Sequence, residues 1–531
     1  MSAFQTTDGP ICPRCKTRRM TKANKTKAGK QRWECKKLHG RGKGSTYCYS
    51  TVNPALPSRS RSNQTTEQLV FKRKLEETKR YIITAAQNAT PVHLHFMETL
   101  KNASKKLSAN LVIIPLRYQN PTSVWSKRMD NQEWWAPEVL PYLHNQRLVI
   151  NENLMVLGDI KTVPTASSPL TGFDVISGLR SAILGHAKVQ LRTIATPQNK
   201  MAKILTTTGV CTKANYTDSR AGKLGEFHHS LSAVIVEVQG KIFHLRHVHA
   251  DKTTGEFTDL ETRYAPDGSR RAERPLALVM GDTHVDFIDP KVERATFADG
   301  GMVDVLRPKT LVWHDLLDAY SVNPHHYGNP FASVAKRTSG RDNARAEVLR
   351  AIRFVEAHAP RGTDSVIVAS NHDDFLRRWI CSADWKQDPT NAEFYLETAL
   401  AMVRGTRLGP GGTEYPSPFP YWVSRLSRSG IRCLAGREPY VLGQVELGMH
   451  GDRGPNGARG SIRNLRRIGV RSIIGHTHSP GIDEGCYQVG TSTALSLEYN
   501  SGPSGWLNTH CILHADGKRQ LINIINGEWR L

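Results

Sequence analysis

What this 531-residue sequence lacks narrows its class before any motif is read. No apolar run approaches the roughly 20 residues a helix needs to cross a bilayer, and the start, MSAFQTTDGP, has neither the charged nor the apolar region of a secretory signal. No membrane span is expected, and the expected compartment is a cytoplasm. Cysteine is scarce, at nine residues, too few for a disulfide framework in so long a chain. Four of the nine fall within the first 50 residues, which suggests metal binding.

Acidic residues are also in deficit, with 48 Asp and Glu against 72 Lys and Arg, a formal net charge of +24. Lys and Arg gain affinity by releasing counterions condensed on a phosphate backbone, so a polyanion is the natural partner. Residues 1–80 hold 20 of the cations and only 5 of the acids. A solubilising or disordered arm is the plainer alternative; a nucleic acid is the favoured partner, and a homo-oligomer is left open. The length calls for two or three domains. The expected division is a cysteine-bearing basic segment over 1–50, a linker over 51–68, an α/β domain of unreadable role over 69–269 and a further domain over 270–531.

Cys12-Pro13-Arg14-Cys15 is a tight Cys-x-x-Cys turn, and Cys35 and Cys48 can complete a tetrahedral thiolate site for one structural zinc. A redox pair is disfavoured, because no strand-helix context of that kind surrounds it. The segment Gly29 to Lys36 resembles the zinc ribbons that open some transposase-type and phage DNA-binding proteins. Those carry a second close Cys pair, whereas 12 residues separate Cys35 from Cys48, so His39 competes for the fourth ligand position. Trp33, Tyr47 and Tyr49 among Lys and Arg suit phosphate contact with base stacking. Residues 51–68 are rich in Pro, Ser and Arg, without periodicity, as a linker would be.

From residue 69 the apolar pattern returns. It predicts a strand at Arg80 to Ala86, a helix at Leu94 to Lys106 and a strand at Leu111 to Leu116, then strands at Ser230 to Val238 and Lys241 to Ala250. His247 and His249, with Glu226, His228 and His229 upstream, are read as hydrogen-bonded histidines rather than metal ligands.

In the C-terminal half five apolar strands each end in a candidate ligand. Leu276 to Met280 runs into Asp282 and His284, and Thr310 to Trp313 into His314, Asp315 and Asp318. Ser365 to Ala369 precedes Asn371, His372 and Asp373, Tyr440 to Leu447 leads to His450, and Arg471 to Ile474 leads to His476 and His478. Ligands gather at the carboxyl ends of strands in α/β sheets, so the five ends can converge. Ala344, Val348, Ile352 and Val355 fall on one face of a helix predicted over Arg341 to His358. Asp, Asn and His without thiolates suit Mn, Fe or Zn, and a shared carboxylate would hold two ions about 3.5 to 4 Å apart.

In order and residue type these motifs resemble the calcineurin-like metallophosphoesterase superfamily, over roughly residues 270–500. Asp282-x-His284, His314-Asp315-x-x-Asp318, Ser370-Asn371-His372-Asp373, His450-Gly451 and Gly475-His476-x-His478 carry the match. His314 and Ser370 replace two family glycines that are not ligands. The resemblance implies a β-sandwich flanked by helices. It implies one divalent ion, with manganese favoured, on Asp282, His284 and His478, and a second on Asn371, His450 and His476, with Asp315 bridging. It makes His372 catalytic, oriented by Asp373. The zinc-ribbon candidate and the basic charge favour a DNA nuclease, similar in kind to the double-strand-break repair branch. They are also similar to phage metallophosphoesterases, including pre-early proteins implicated in host DNA degradation, for which the host cytoplasm is the site of action. A phosphatase or nucleotide phosphodiesterase is the alternative, and a nucleic-acid-binding protein with an inactive site is the third.

Overall fold

The computed structural model describes residues 20–23, 32–39, 46–50, 75, 78–116, 134–409, 412–436, 438–497 and 500–531. Cys12, Cys15 and the expected linker 51–68 lie outside them, and for His39 and Cys48 only the backbone is described. The chain forms two compact units, residues 1–70 and 71–531.

The first unit holds an antiparallel sheet of β1 (Thr21–Ala23), β2 (Arg32–His39) and β3 (Thr46–Ser50). Met20, Trp33 and Cys35 are buried together, and Cys35 faces Cys48 in the ladder.

The second unit is mixed α/β. It opens with β4 (Arg80–Gln87), a helix at Leu94–Leu107 and β5 (Asn110–Leu116). All seven β5 residues are buried because both faces are covered: Val112 and Ile114 face the interior between sheets, while Leu111 and Ile113 pack under Phe96, Met97 and Leu100 of the helix. Next come β6 (Arg147–Val149), β7 (Leu154–Leu157), β8 (Ser181–Leu184), β9 (Gln190–Ile194) and β10 (Lys203–Thr207). The hairpin of β11 (Ser232–Gln239) and β12 (Ile242–His249) follows, then a three-stranded sheet of β13 (Phe257–Asp259), β14 (Thr262–Ala265) and β15 (Gly268–Arg271).

The strands β16 (Ala277–Val279), β17 (Thr310–Trp313) and β18 (Asp364–Ile367) pair in parallel. A helical segment with the ribbon β19 (Arg407–Gly409) and β20 (Gly412–Glu414) separates β18 from β21 (Arg432–Cys433). Then follow β22 (Val441–Leu442), β23 (Val445–Glu446), β24 (Ser472–Ile474), β25 (Gly481–Asp483), β26 (Cys486–Gln488), β27 (Thr509–Leu513) and β28 (Arg519–Asn523). The single strand predicted over Tyr440 to Leu447 is a hairpin, because Gly443 and Gln444 adopt φ +52° and +64°, as a tight two-residue turn requires. The helix predicted from Arg341 spans Ala344–His358, starting where the Asn343 side chain accepts from Ala346 N, with Ala344, Val348, Ile352 and Val355 buried.

The boundary expected at 269/270 does not divide the fold. A ten-stranded sheet, ordered β22-β23-β24-β26-β25-β9-β10-β8-β7-β6, takes five strands from each side of it. Its inner face packs on two others, β12-β11-β4-β5 and β28-β27-β16-β17-β18-β21, and helices cover the outer faces of those two.

The two sides repeat one topology. In both, a hairpin leads to a strand paired in parallel with a second, which pairs in parallel with a third, which pairs antiparallel with a fourth: β6-β7-β8-β10-β9 and β22-β23-β24-β26-β25. The other sheets match likewise, β12-β11-β4-β5 against β28-β27-β16-β17. The join is symmetric. β9 pairs antiparallel with β25, its counterpart, with Leu191 opposite Ile482, Arg192 opposite Gly481 and Gln190 opposite Asp483. The helix caps agree too: His93 N bonds Cys211 O, and Asp289 N bonds Ser492 O, both at 2.9 Å, and both residues cap the next helix with their side chains. The chain is thus an internal pseudo-two-fold duplication.

Candidate metal centre

Five strand ends of the second half bring the predicted residues together. Gly281 leaves β16 where a side chain would strike the backbone of Thr491, and Asp282 and His284 follow it, fully buried. Gly475 leaves β24 against Asp282, where a Cβ would collide with Asp282 Oδ1, and this closeness lets His476 N donate to Asp282 Oδ2 at 2.7 Å. His478 Nε2 lies 3.2 Å from both Asp282 Oδ2 and His284 Nε2. On the other side of Asp315, its Oδ2 is 3.1 Å from His450 Nε2 and 3.7 Å from His284 Nε2. Asn371 Oδ1 is 3.0 Å from His476 Nδ1.

Beside a set of His284, Asp318 and half-buried His372, two ligand groups result: buried Asp282, His284, Asp315 and His478; and buried Asp315 and His450 with half-buried His476. They share Asp315. Asp282 Oδ1 and Asp315 Oδ1 are buried without a hydrogen-bond partner, a costly state for carboxylate oxygens that a bound cation would relieve. The backbone is strained in step: His284, Asp315, His476 and His478 have φ of +39°, +41°, +81° and +59°. Each such residue costs roughly 1–3 kcal/mol and persists only where its surroundings fix it. The donor set therefore fits a metal ion.

Charges in the centre are strongly coupled. Burial works against ionising Asp315, yet the imidazoles of His450, His372 and His284 hold its carboxyl well below the usual range. Burial likewise opposes protonation of His284 and His450, but Asp318, Asp315 and Asp282 raise the first to about 9, and Asp315 and Asp282 raise the second to about 9. The carboxylates that hold those protons would hold metal in their place, so protons and metal compete for this centre. Burial pushes His476 and His478 down, which leaves them neutral and able to ligate.

His372 stands at the edge, half-buried, its ring 4.6 Å from that of His284. The resemblance implies that Asp373 orients it. Instead its Nδ1 lies 3.0 Å from Asp318 O and 3.5 Å from Asp318 Oδ1, while Asp373 turns away to accept from Ser370 N and to receive no contact from His372. Burial and the nearby Asp315 push Asp373 up to about 8, as suits a structural carboxyl held by its own turn. Asp318 was visible in the motif spacing, but its place beside His284 and His372 was not. Trp506, whose ring lies 4.2 Å from that of His478, carried no sequence signal, and His314, at a motif position that the resemblance makes no ligand, has its Nδ1 3.4 Å from His450 Nδ1. A cavity of about 660 Å³ lined by Ser370, His450, Asp452 and Arg453 adjoins the second group.

The first half has the same frame without the ligands. Strand register puts Ala86-Gln87-Asn88 where Asp282-Thr283-His284 stands, and Pro115 where Asp315 stands. His186, the counterpart of His476, is occupied by the protein itself, accepting from Lys188 N and lying 3.0 Å from Val163 O. His229 and His247 contact Thr212 O and Thr207 O, and His249 contacts the Tyr487 hydroxyl, so these histidines are satisfied within the fold. Among the described residues, every metal-competent group lies in the second half. No described helix is long and apolar enough to cross a membrane.

No protein-family model matches the chain, and no solved structure matches it. It is similar to Protein A1 of Escherichia phage T5, with 29% identity over 474 residues that span 86% of this chain and 83% of that protein, more than either half of the duplication could supply alone.

Proposed function

We propose that the chain is a metal-dependent phosphodiesterase of the calcineurin-like metallophosphoesterase kind, acting on DNA. The observation that carries this is the pair of buried Asp and His groups joined through Asp315. Asp282, His284 and His478 would hold one ion, and Asn371, His450 and His476 the other. Two divalent ions there, manganese or else iron or zinc, would supply charge neutralisation for a phosphoester and a water acidified enough to attack it. The chain's own contribution is placement. Asp315 fixes the spacing of the two groups, and the strained loops fix the direction of each ligand. Half-buried His372, held at Nδ1 by Asp318, presents Nε2 as a proton donor or hydrogen-bond donor to a leaving oxygen.

DNA as the substrate is supported by the basic N-terminal 80 residues and the net charge of +24. The buried Cys35 facing Cys48 is compatible with a zinc ribbon, with Cys12 and Cys15 supplying the remaining thiolates. The similarity to a phage protein supports a role in an infected host's cytoplasm. Incubating the chain and Mn²⁺ with linear, circular and single-stranded DNA, beside a small chromogenic phosphodiester, tests the proposal. DNA cleavage is expected. Turnover of the small ester alone would point to a phosphatase or nucleotide phosphodiesterase, and no turnover with any metal to a binding protein.

A further inference from the structure

The duplication makes the two flanks of the sandwich comparable, and they differ in charge. Leu507, Asn508 and Ile524 line a cavity of about 590 Å³. Their register counterparts Ser230, Leu231 and Ala250 line one of about 820 Å³. The first presents three lysines and one aspartate; the second presents seven Lys and Arg against two glutamates.

Part of that positive charge is neutralised from within. Lys188 Nζ lies 3.1 Å from Glu484 Oε1, and Arg466 Nη1 lies 2.7 Å from Asp483 Oδ2. Arg519 is different. Its Nη1 donates to Ser472 O at 3.0 Å and Gly485 O at 2.5 Å, and its guanidinium stacks 4.1 Å over the Tyr487 ring, but no carboxylate among the described residues pairs with it. Burial depresses its pKa, with no carboxylate at hand to offset the cost. The exposed Arg471 and Lys252 on the same wall likewise have no carboxylate partner among the described residues. Arg519 is thus a half-buried cation held by two carbonyls and a ring, without a carboxylate partner among the described residues, and it shares the cavity wall with two exposed cations. Phe227, 75% exposed, stands in the same lining with its ring 5.0 Å from that of His228, as a platform for a base would.

We propose that this cavity is a second nucleotide-binding site, in which Arg519, Arg471 and Lys252 take a phosphate and Phe227 stacks the base. The size suits it, since small-ligand pockets run from about 300 to 1,000 Å³. Arg471 directly precedes β24 and His476 follows it closely, so about five extended residues, roughly 16 Å, separate the cavity from the metal centre. The phosphate held here is an anchor, not the scissile one. The lining is drawn from both halves, Phe227 and Lys252 from the one whose own ligand positions lack acids and Arg471 and Arg519 from the one that carries the metal groups. The choice of a nucleotide rests on the nuclease proposal above; the anion site itself does not.

The test is binding of a labelled single-stranded oligonucleotide to the full chain in EDTA, across a salt series. R471E/K252E is compared with K105E/K106E, which changes net charge equally on an exposed helix end away from the cavity. Two lost phosphate contacts should lower the slope of log K against log salt by about two, and affinity at low salt by tenfold or more, in the first variant only. R471Q/K252Q, a milder change, serves if the reversal unfolds. Competition by dAMP or inorganic phosphate in wild type but not in the variant would assign a free nucleotide; competition by unlabelled oligonucleotide alone would assign a strand. Equal slopes in wild type and R471E/K252E, or equal losses in both charge-reversed variants, would overturn the site. DNA bound here but never cleaved with Mn²⁺ would leave the site standing and remove the nuclease proposal.

Discussion

Leu191 and Ile482 face each other, both buried, at the centre of the β9–β25 ladder that joins the two halves of the ten-stranded sheet. Each occupies the same place in its own half: Leu191 pairs on its other side with Thr206 and Ile482 with Tyr487, one residue before the end of β10 and of β26. The pseudo-two-fold passes between them, and neither half has a free edge there. A sheet continuous across the join should unfold as a unit. Ile482→Ala is expected to cost about 2–5 kcal/mol through lost burial and a residual cavity. Circular dichroism and tryptophan fluorescence in a denaturant series should report one shared transition at lower midpoint. Two separated transitions would show that the halves are independent.

The shared carboxylate and the edge histidine separate metal binding from chemistry. Asp315→Asn is expected to reduce bound Mn²⁺ from two ions per chain to one or none, read by elemental analysis after gel filtration. His372→Ala should keep both ions while hydrolysis falls by roughly 10²- to 10⁴-fold, the usual reach of one general acid. Loss of metal in His372→Ala would make that residue a ligand and end its assigned role.

Ligand-bearing strand ends were legible because the chemistry demands particular side chains at particular spacings, and Asp282, His284, Asp315, His450, His476 and His478 do converge. The duplication was not legible, for the same reason. Its first copy lacks the ligands, so little beyond Gly185-His186 against Gly475-His476 survives as a shared signal. Strands such as β7, β8 and β10 are four or five residues long and buried throughout, which leaves no alternation to read. Asp318 displaced Asp373 beside His372 because the turn at Ser370 holds the Asp373 carboxyl, a local backbone contact that residue spacing does not encode.

Glu347 offers a pH test away from the ligands. It is buried on the helix Ala344–His358 and accepts from Tyr320 N, Ser321 N and Ser321 Oγ, at 2.7, 3.0 and 2.6 Å. Burial outweighs those bonds and raises it to about 7 from an ordinary 4.5. A carboxyl raised on folding favours the folded state fully below its unfolded pKa, and that contribution is lost as pH rises through about 7. The loss amounts to roughly 3 kcal/mol at most. Melting midpoints at pH 5 and pH 8 should therefore differ more in wild type than in Glu347→Gln. An identical difference in the two proteins would place Glu347's proton elsewhere.

Arg246 ties the first half to the second through a buried ion cluster. Its guanidinium grips Asp259 with two bonds of 2.6 and 2.8 Å and Glu237 with one of 2.9 Å, all three side chains at most 5% exposed. Gln520 of β28 donates to the same Asp259 oxygen, and the Leu531 N–H donates to Glu237, so the cluster fixes where the chain's last residues sit on β11 and β12. Removing the cation strands Asp259 in the interior and leaves Glu237 with Arg80 as its cation, which costs more than the pair itself is worth. Arg246→Met is expected to destabilise the chain by roughly 3–5 kcal/mol, and restoring neutrality with Asp259→Asn and Glu237→Gln in the same chain should recover a large part of that loss. Denaturant midpoints of the single and triple variants decide it: a triple no more stable than the single would mean that Arg246 acts by packing its aliphatic stem, not by its charge.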